Sequence, residues 1–478
     1  MNCVLEDLQP DLRYPAVSKP YHCQSLSQSL TVSVAQRAFQ DCPYLLILDS
    51  AAGRGDFDAR YSFLSAAPVE VSRLDQVEFG CQPFTEVRKL QNQLPDLDVD
   101  CPPFCGGLAG LMSYEIGGAF ERVPTPDADP FQTPALLVGL YDWAIVWDHL
   151  RNQVDLWVLK IKPSDFDLGS EDLVQHRLQW VERRLALADA QVDSEDELPV
   201  ADWASVFKPK KYIAAVQDVI DYISAGDIFQ ANLSQQLTGD WSGTTSQLFE
   251  RVCRLNPAPF CGMLEAPDFA VISASPERFL KVDSSGRIET RPIKGTRRRQ
   301  KSPVADLLVG EALKSSHKDR AENVMIVDLL RNDISRVCEV GTVKVTGVCE
   351  LEVFETVQHL VSTVVGQLKA DCDIWDLCAA TLPGGSITGA PKIRAMEIIA
   401  ELEPVVRGAY CGNLFYCGPN GDFDSSILIR TFTLKEGRVQ FPVGGGVVSD
   451  SEPVDEYEET LHKASGMLRV LNGAALKR

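Results

Sequence analysis

The sequence contains no C-x-x-C pair. Its 14 cysteines are scattered, and the closest two, Cys101 and Cys105, flank Pro-Pro-Phe. Metal-ligand spacing and disulfide-scaffold density are both missing, which leaves reduced, mostly buried thiols in a cytoplasmic protein as the expectation. No hydrophobic run is long enough to span a bilayer; the most apolar stretch, 134–147, is interrupted by Asp142. The opening residues, MNCVLEDLQPDLRYP, lack the basic and apolar regions of a secretory signal. Cations are also scarce. The 46 Lys and Arg face 67 Asp and Glu, for a net charge of −21. Nucleic acid and anionic membranes are therefore poor partners. An anionic substrate would need a local positive field, which is feasible because surface charges fade beyond ~8 Å at physiological salt.

What is present is an ordinary globular balance. The chain has 478 residues, 45% hydrophobic and 24% charged, enough for two or three domains. Residues 1–188 read as strand-rich: 44–51 (YLLILDSA), 135–148 and 154–161 are apolar runs suited to strands buried on both faces. A helix is expected over 171–188. The acidic segment from 189 carries little apolar pattern and marks a linker over 189–207. A second unit follows at 208–474. Its helices are expected at 209–225, 310–337, 386–401 and 453–471, and its strands at 269–275, 343–348, 426–433 and 439–443. Strands and helices do not alternate regularly, so the fold class is α+β rather than a doubly wound sheet.

Several clusters have chemical potential. PGGSITGAPKIRAM (383–396) reads as a glycine turn opening a helix, with Pro391 in its first turn; it is either a capped turn or an anion site. Gly384 and Gly389 have P-loop spacing, but Ala390-Pro391 stands where Lys-Ser/Thr is needed, so no nucleotide is expected. VGGGVVSDS (443–451) follows a strand and reads as a bulge or an anion-binding nest. In the last helix, Tyr457, Leu461, Ala464, Leu468 and Leu471 are expected to face the core. Glu456, Glu459 and Lys463 form another stripe. Asp319, Glu322 and Asn323 share a face of the 310–337 helix. Such stripes are solvated faces or Mg²⁺ ligands. The segment RPIKGTRRRQK (291–301) holds six cations. Arg297, Arg298 and Arg299 read as a solvated loop. Lys294 lies in an apolar context where burial would lower its pKa and make a nucleophilic amine. Glu277 ends the apolar run AVISAS, either as an exposed loop acid or as a buried general acid. His359 is the one histidine in a strongly apolar segment, where a satisfied core histidine is the default.

Taken together and in this order, these segments resemble the chorismate-utilising family, which includes anthranilate, aminodeoxychorismate, isochorismate and salicylate synthases. The resemblance rests on SPERFL (275–280), RPIKGT (291–296), DRAENVMIVDLLRND (319–333), LPGGSITGAPKIRAMEII (382–399), IRT (429–431), GGGVVSDS (444–451) and EYEETLHKA (456–464). It implies two large antiparallel sheets packed as a sandwich with helices outside, formed by both halves of the chain. Isochorismate and salicylate synthases carry a water-activating lysine where this chain has Gln230, so water addition is disfavoured. PIKGT resembles the aminodeoxychorismate synthase component I branch; anthranilate synthases, the alternative, resemble PIAGT. A non-catalytic relative is a third reading. The resemblance implies Mg²⁺ held by Glu322 and Glu459, and substrate carboxylates held by Arg430, Lys463 and the Gly445 and Gly446 amides. It further implies Glu277 as general acid, Lys294 as a nucleophile at the ring, His359 and Thr388 near the leaving group, and Tyr410 lining the pocket. The chain has no G-x-C-x-G nucleophile, so ammonia is expected from a separate glutaminase subunit. Relatives often hold tryptophan near an acid–Ser pair and an N-P-x-P turn. Asp49, Ser50 and Asn256-Pro257-Ala258-Pro259-Phe260 fit that pattern.

Overall fold

The computed structural model describes residues 19–50, 59–97, 100–161, 170–188, 203–353 and 357–472. The linker expected at 189–207 lies outside the described residues up to 202; beyond it, Ala204–Ser205 pairs with Gln230–Asp240.

The apolar run near residue 45 explains the architecture. Leu45–Asp49 is a strand, and its side chains alternate between two cores. Leu46 joins one buried cluster with Leu264, Leu280 and Leu414; Ile47 joins another with Met263, Ile272 and Phe432. A strand buried on both faces needs apolar residues at every position, which is why the sequence there does not alternate. The first cluster lies between two antiparallel sheets of twelve and ten strands. The second lies between the larger sheet and the helices Val32–Phe39, Ser170–Ala188, Thr245–Leu255 and Pro453–Asn472. Both sheets take strands from either side of the 189–207 segment. Leu45–Asp49 pairs with Phe260–Glu265 in the larger sheet, and Gly107–Met112 pairs with Asn413–Cys417 in the smaller one.

Three expected elements are in fact two each. The 135–148 run divides into Leu136–Tyr141 in the smaller sheet and Trp143–Asp148 in the larger. The chain crosses between sheets at Asp142, whose carboxylate meets Arg177 at 2.9 Å, both side chains being buried. The 426–433 run divides in the same way into Phe423–Ile427 and Thr431–Lys435, with Arg430 at the crossing in the left-handed region (φ 53°). The 310–337 helix is two helices, Pro303–Lys314 and His317–Ser335. Ser316 ends one and caps the other, accepting a bond from the Asp319 N–H at 3.3 Å. Two smaller corrections concern the glycine segments. Pro391 is the N-cap of Lys392–Leu402 rather than a first-turn residue. Gly444, Gly445 and Gly446 lie inside the strand Arg438–Val447 rather than after it.

A third crossing joins Ala270–Ser275 in the larger sheet to Arg278–Val282 in the smaller. It runs beside the Arg430 crossing. The Ile427 N–H donates to the Glu277 carbonyl at 3.1 Å, and the Ala274 N–H donates to the Arg430 carbonyl at 3.0 Å. Glu277 and Arg430 are thereby brought to one edge of the sandwich.

Removing one partner of a buried ion pair strands the other charge, so Arg177→Ala is expected to lower the unfolding free energy by roughly 3 kcal/mol. Urea titration of the variant and the parent chain measures it; a loss under about 1 kcal/mol would mean that the crossing does not depend on the pair.

Candidate active site

Lys294 owes its position to a glycine. Ile293–Arg298 pairs with Val357–Gln367, and the register steps between Lys294, opposite Leu360, and Thr296, opposite His359. Gly295 is the extra residue, at φ +74°. This is a bulge with glycine in the left-handed region, a device that re-aims the neighbouring side chain. A Cβ on Gly295 would lie 2.9 Å from Leu313 and 3.0 Å from Asp319. Lys294 is partly buried, and its Nζ donates to the Ser386 carbonyl at 3.2 Å. Burial pulls its pKa below the ordinary lysine value, opposed by the Glu322 and Glu277 carboxylates.

Glu277 is buried beside it. Its Oε1 accepts the Ile293 N–H at 3.4 Å. Burial pushes its carboxyl up to about 7, against the pull of Lys294. A carboxyl in this state holds a proton near neutral pH and can give it up. His359 is buried, with Nδ1 2.8 Å from the Thr296 hydroxyl. Burial, then the Arg430 charge, lowers its pKa to about 4, so the ring is neutral at pH 7. Arg430 is lowered by burial alone, with no carboxylate among the described residues contributing. A cation in that position is free to receive an anion.

The acidic side is built where glycines leave room. Pro453–Asn472 packs on the strand Arg438–Val447. A Cβ on Gly445 would lie 3.3 Å from Glu456 Oε2 and 3.7 Å from both Glu459 Oε1 and Lys463 Nζ. Lys463 pairs with Glu459 at 2.7 Å and donates to the Gly444 carbonyl at 2.8 Å. The Ser451 hydroxyl donates to Glu456 at 2.6 Å. Burial raises Glu322 and Glu456, and carboxylates add to each: Asp319 and Glu456 to Glu322, and Glu459 to Glu456. Burial pushes Glu459 the same way, but Lys463 and Lys318 outweigh it and hold it low. The helix is rotated from the expected stripe. Glu456, Thr460, Ala464, Met467 and Leu471 are buried, whereas Leu461 is 42% exposed. Glu456, which the sequence sets in one stripe with Glu459 and Lys463 but outside the expected Glu322–Glu459 metal pair, is thus a buried member of this group.

Gln230 opens the strand Gln230–Asp240. It is buried, and its Oε1 has no partner among the described residues. A Cβ on Gly446 would fall 2.4 Å from its Nε2, so glycine is what admits the glutamine. Thr388 is buried and donates its hydroxyl to the Gly384 carbonyl at 2.9 Å, inside the loop that presents Ser386. Tyr410 is buried, with Arg407 5.9 Å from its ring centre. Arg297 and Arg299 are not a free loop: they pair with Asp319 at 3.1 Å and with Asp306 at 2.7 Å. Arg297 and Arg298 belong to the strand.

Asp49, Ser50 and Phe260 meet at the seam between Leu45–Asp49 and Phe260–Glu265, where Asp49 lies opposite Cys261. Asp49 accepts from the Ser62 hydroxyl at 2.6 Å, and Ser50 donates to the Tyr61 carbonyl at 2.9 Å. Pro259 immediately precedes Phe260, whose ring lies 5.1 Å under the Arg278 guanidinium. A cleft of about 770 Å³, lined by Phe79, Phe120, Leu329, Arg336 and Lys392 among others, lies outside all of these groups.

A lowered-pKa amine, an acid that holds a proton near neutral pH, an unpaired arginine and a row of glutamates are together suited to binding and acting on a small anion. The comparisons agree. A model of the chorismate binding enzyme family matches residues 46–469. The chain belongs to that family and is a chorismate-utilising enzyme. It is 43% identical to aminodeoxychorismate synthase component 1 of Klebsiella aerogenes, over 77% of this chain and 78% of that one. It is 39% identical to anthranilate synthase component 1 of Thermus thermophilus, over 78% and 79%. The crystal structure of anthranilate synthase component I from Streptococcus pneumoniae TIGR4 superposes with a TM-score of 0.72 at 27% identity, covering 98% of each chain.

The pKa of Glu277 yields a stability prediction. In the fold it is about 7, above the 4.5 of an ordinary glutamate. Between these values the folded chain keeps a proton that the unfolded chain has released. The contribution is complete below the lower value and is lost as the pH rises through the upper one. Glu277→Gln removes this dependence. Its melting temperature is expected to exceed that of the parent chain by more at pH 8 than at pH 5; an equal difference at both would place the titration elsewhere.

Proposed function

We propose that this chain is the aminodeoxychorismate-forming component of a two-part enzyme, converting chorismate and ammonia to 4-amino-4-deoxychorismate for folate and para-aminobenzoate synthesis. The observation that carries the reading is Lys294, an amine aimed by the Gly295 bulge and lowered by burial beside a carboxyl that still holds its proton.

Chorismate is a dianion. Arg430, Lys463 and the backbone at Gly445 and Gly446 would take its carboxylates, with Tyr410 lining the pocket. Glu277 would protonate the ring hydroxyl at C4 as the Lys294 amine, free of its proton, adds at C2. The ring double bonds would shift, water would leave from C4, and the lysine nitrogen would pass its surplus proton to the Glu277 carboxylate. Ammonia would then add at C4 as Glu277 returns that proton to the lysine nitrogen leaving C2, and the new C4 ammonium would give one proton back to Glu277. His359 and Thr388 would stand near the leaving group. Gln230 cannot act as a general base, so water does not compete as the nucleophile.

Glu322 and Glu459, joined by Glu456, would hold Mg²⁺. The donor set fits, because the half-buried Glu322 and the buried Glu456 are hard-oxygen ligands whose pKa values are raised by burial first and by neighbouring carboxylates second, both of which a divalent cation would offset. Among the described residues no three such side chains already close as a metal cluster, so substrate oxygens would complete the shell. When bound, the ion would neutralise charge on the ring carboxylate. A glutaminase subunit is the proposed source of ammonia. Asp49, Ser50, Pro259 and Phe260 are the proposed edge of a tryptophan pocket. The thirteen free thiols among the described residues fit a reducing, cytoplasmic compartment, and no helix among those residues is long and apolar enough to cross a membrane.

The test is the purified chain with chorismate, Mg²⁺ and ammonium at mildly alkaline pH, followed by mass and fluorescence analysis. The expected product has the mass of amino-substituted chorismate with its enolpyruvyl group retained. Fluorescent anthranilate with free pyruvate would favour the anthranilate synthase reading instead. Lys294→Ala is expected to abolish the amino-substituted product, and Glu277→Gln to slow its formation by roughly 10²-fold or more. Unchanged turnover in Lys294→Ala would sink the covalent route.

A further inference from the structure

Arg407 is 2% exposed and bonded on every edge of its guanidinium. Nε and Nη2 hold Glu403 at 2.9 and 2.7 Å. Glu403 is itself anchored by the N–H and hydroxyl of Ser234, each at 2.8 Å. The face of the guanidinium lies 4.6 Å from the centre of the Tyr114 ring. The two remaining bonds go to main-chain carbonyls: Nη1 donates to Ile387 at 2.8 Å and Nη2 to Asn232 at 2.6 Å.

Those two carbonyls belong to different walls of the site. Ile387 stands between Ser386, whose carbonyl receives the Lys294 amine, and Thr388. Asn232 lies two residues beyond Gln230, and its N–H donates to the Thr388 carbonyl at 2.7 Å. The guanidinium therefore ties the 385–388 loop to the head of the Gln230 strand. A lysine could not do this, because an ammonium lacks the planar fork that spans a carboxylate on one edge and two carbonyls on the other.

We propose that Arg407 is a positioning residue for the reaction. By fixing the 385–388 loop it fixes the carbonyl that aims and partly satisfies the Lys294 amine. The proposal rests on Lys294 being the reactive group. Arg407 touches no substrate. It acts through Ser386.

The experiment compares Arg407→Lys and Glu403→Gln with the parent chain by steady-state kinetics, thermal melting and the pH dependence of Lys294 labelling by trinitrobenzenesulfonate, located by mass spectrometry. A carbonyl acceptor favours the ammonium form. Its displacement in Arg407→Lys is expected to move the labelling midpoint to lower pH. In the same variant kcat is expected to fall about tenfold or more while KM for chorismate changes less than about threefold, because misplacement acts on the chemical step. Glu403→Gln keeps both guanidinium–carbonyl bonds. It should melt earlier, yet retain the labelling midpoint and kcat. An unshifted midpoint with unchanged kcat in Arg407→Lys would overturn the proposal. So would a Glu403→Gln chain that shifts the midpoint, which decides the matter should Arg407→Lys fail to fold. Labelling needs no substrate, so a parent chain that makes no aminodeoxychorismate overturns the function while the labelling still reports on Arg407.

Discussion

An amine and several carboxyls taken out of water cost free energy that only mutual attraction and hydrogen bonds offset. Around Lys294 that offset is deliberately incomplete. Glu277 and Glu322 favour the ammonium, but burial is the larger effect and the pKa falls. The same burial keeps a proton on Glu277. Were either group moved into water, the lysine would be a permanent cation and the glutamate a permanent anion at neutral pH. Exposed, the two would form an ion pair; burial shifts both toward their neutral forms, and the sandwich keeps them out of water.

The holding is done by places where regular structure breaks. Glu277 and Arg430 sit at crossings between the two sheets, and Lys294 sits beside a bulge. Strand interiors alternate side chains between two apolar cores and have no position that faces neither. A crossing does. It turns one residue out of both cores while its neighbours remain pinned, as the bonds between Ile427 and Glu277 and between Ala274 and Arg430 show. Asp142 is the same device used for stability. Its charge faces Arg177, which neutralises it inside the fold.

This also explains how much of the molecule was legible in its sequence. Strands buried on both faces were readable from unbroken apolar runs, and the helices at 209–225 and 453–471 from periodicity and proline. The crossings were not readable. Apolar runs such as 135–148 continue through them, because the residues on both sides of Asp142 are equally buried. The Ser315–Ser316 break was hidden for a related reason: helical character resumes at once on the far side. At the site, Lys294 and Glu277 were legible through their apolar contexts. Glu456 was legible as part of an acidic stripe but its burial was not, because that depends on the absence of a side chain at Gly445 on the neighbouring strand, which helix periodicity cannot register. Arg407 was invisible for another reason: besides Glu403, its partners are main-chain carbonyls, 20 and 175 positions away in sequence.

Specificity in such a site follows from which nucleophile is allowed to be neutral. On the proposed function, water would need a base where this chain has Gln230, and an amide supplies none. The Gln230 carbonyl oxygen is buried and without a partner among the described residues, beside the glycine that admits the side chain. An unsatisfied acceptor of this kind is costly in the empty protein. It becomes favourable when a donor such as ammonia or a ring hydroxyl arrives, so the cost held in the free site is recovered only with a ligand that carries N–H or O–H groups. On the proposed function, Lys294 and Gln230 would be two halves of one choice: the first would open the ring to substitution, and the second would withhold the base that water needs to complete it.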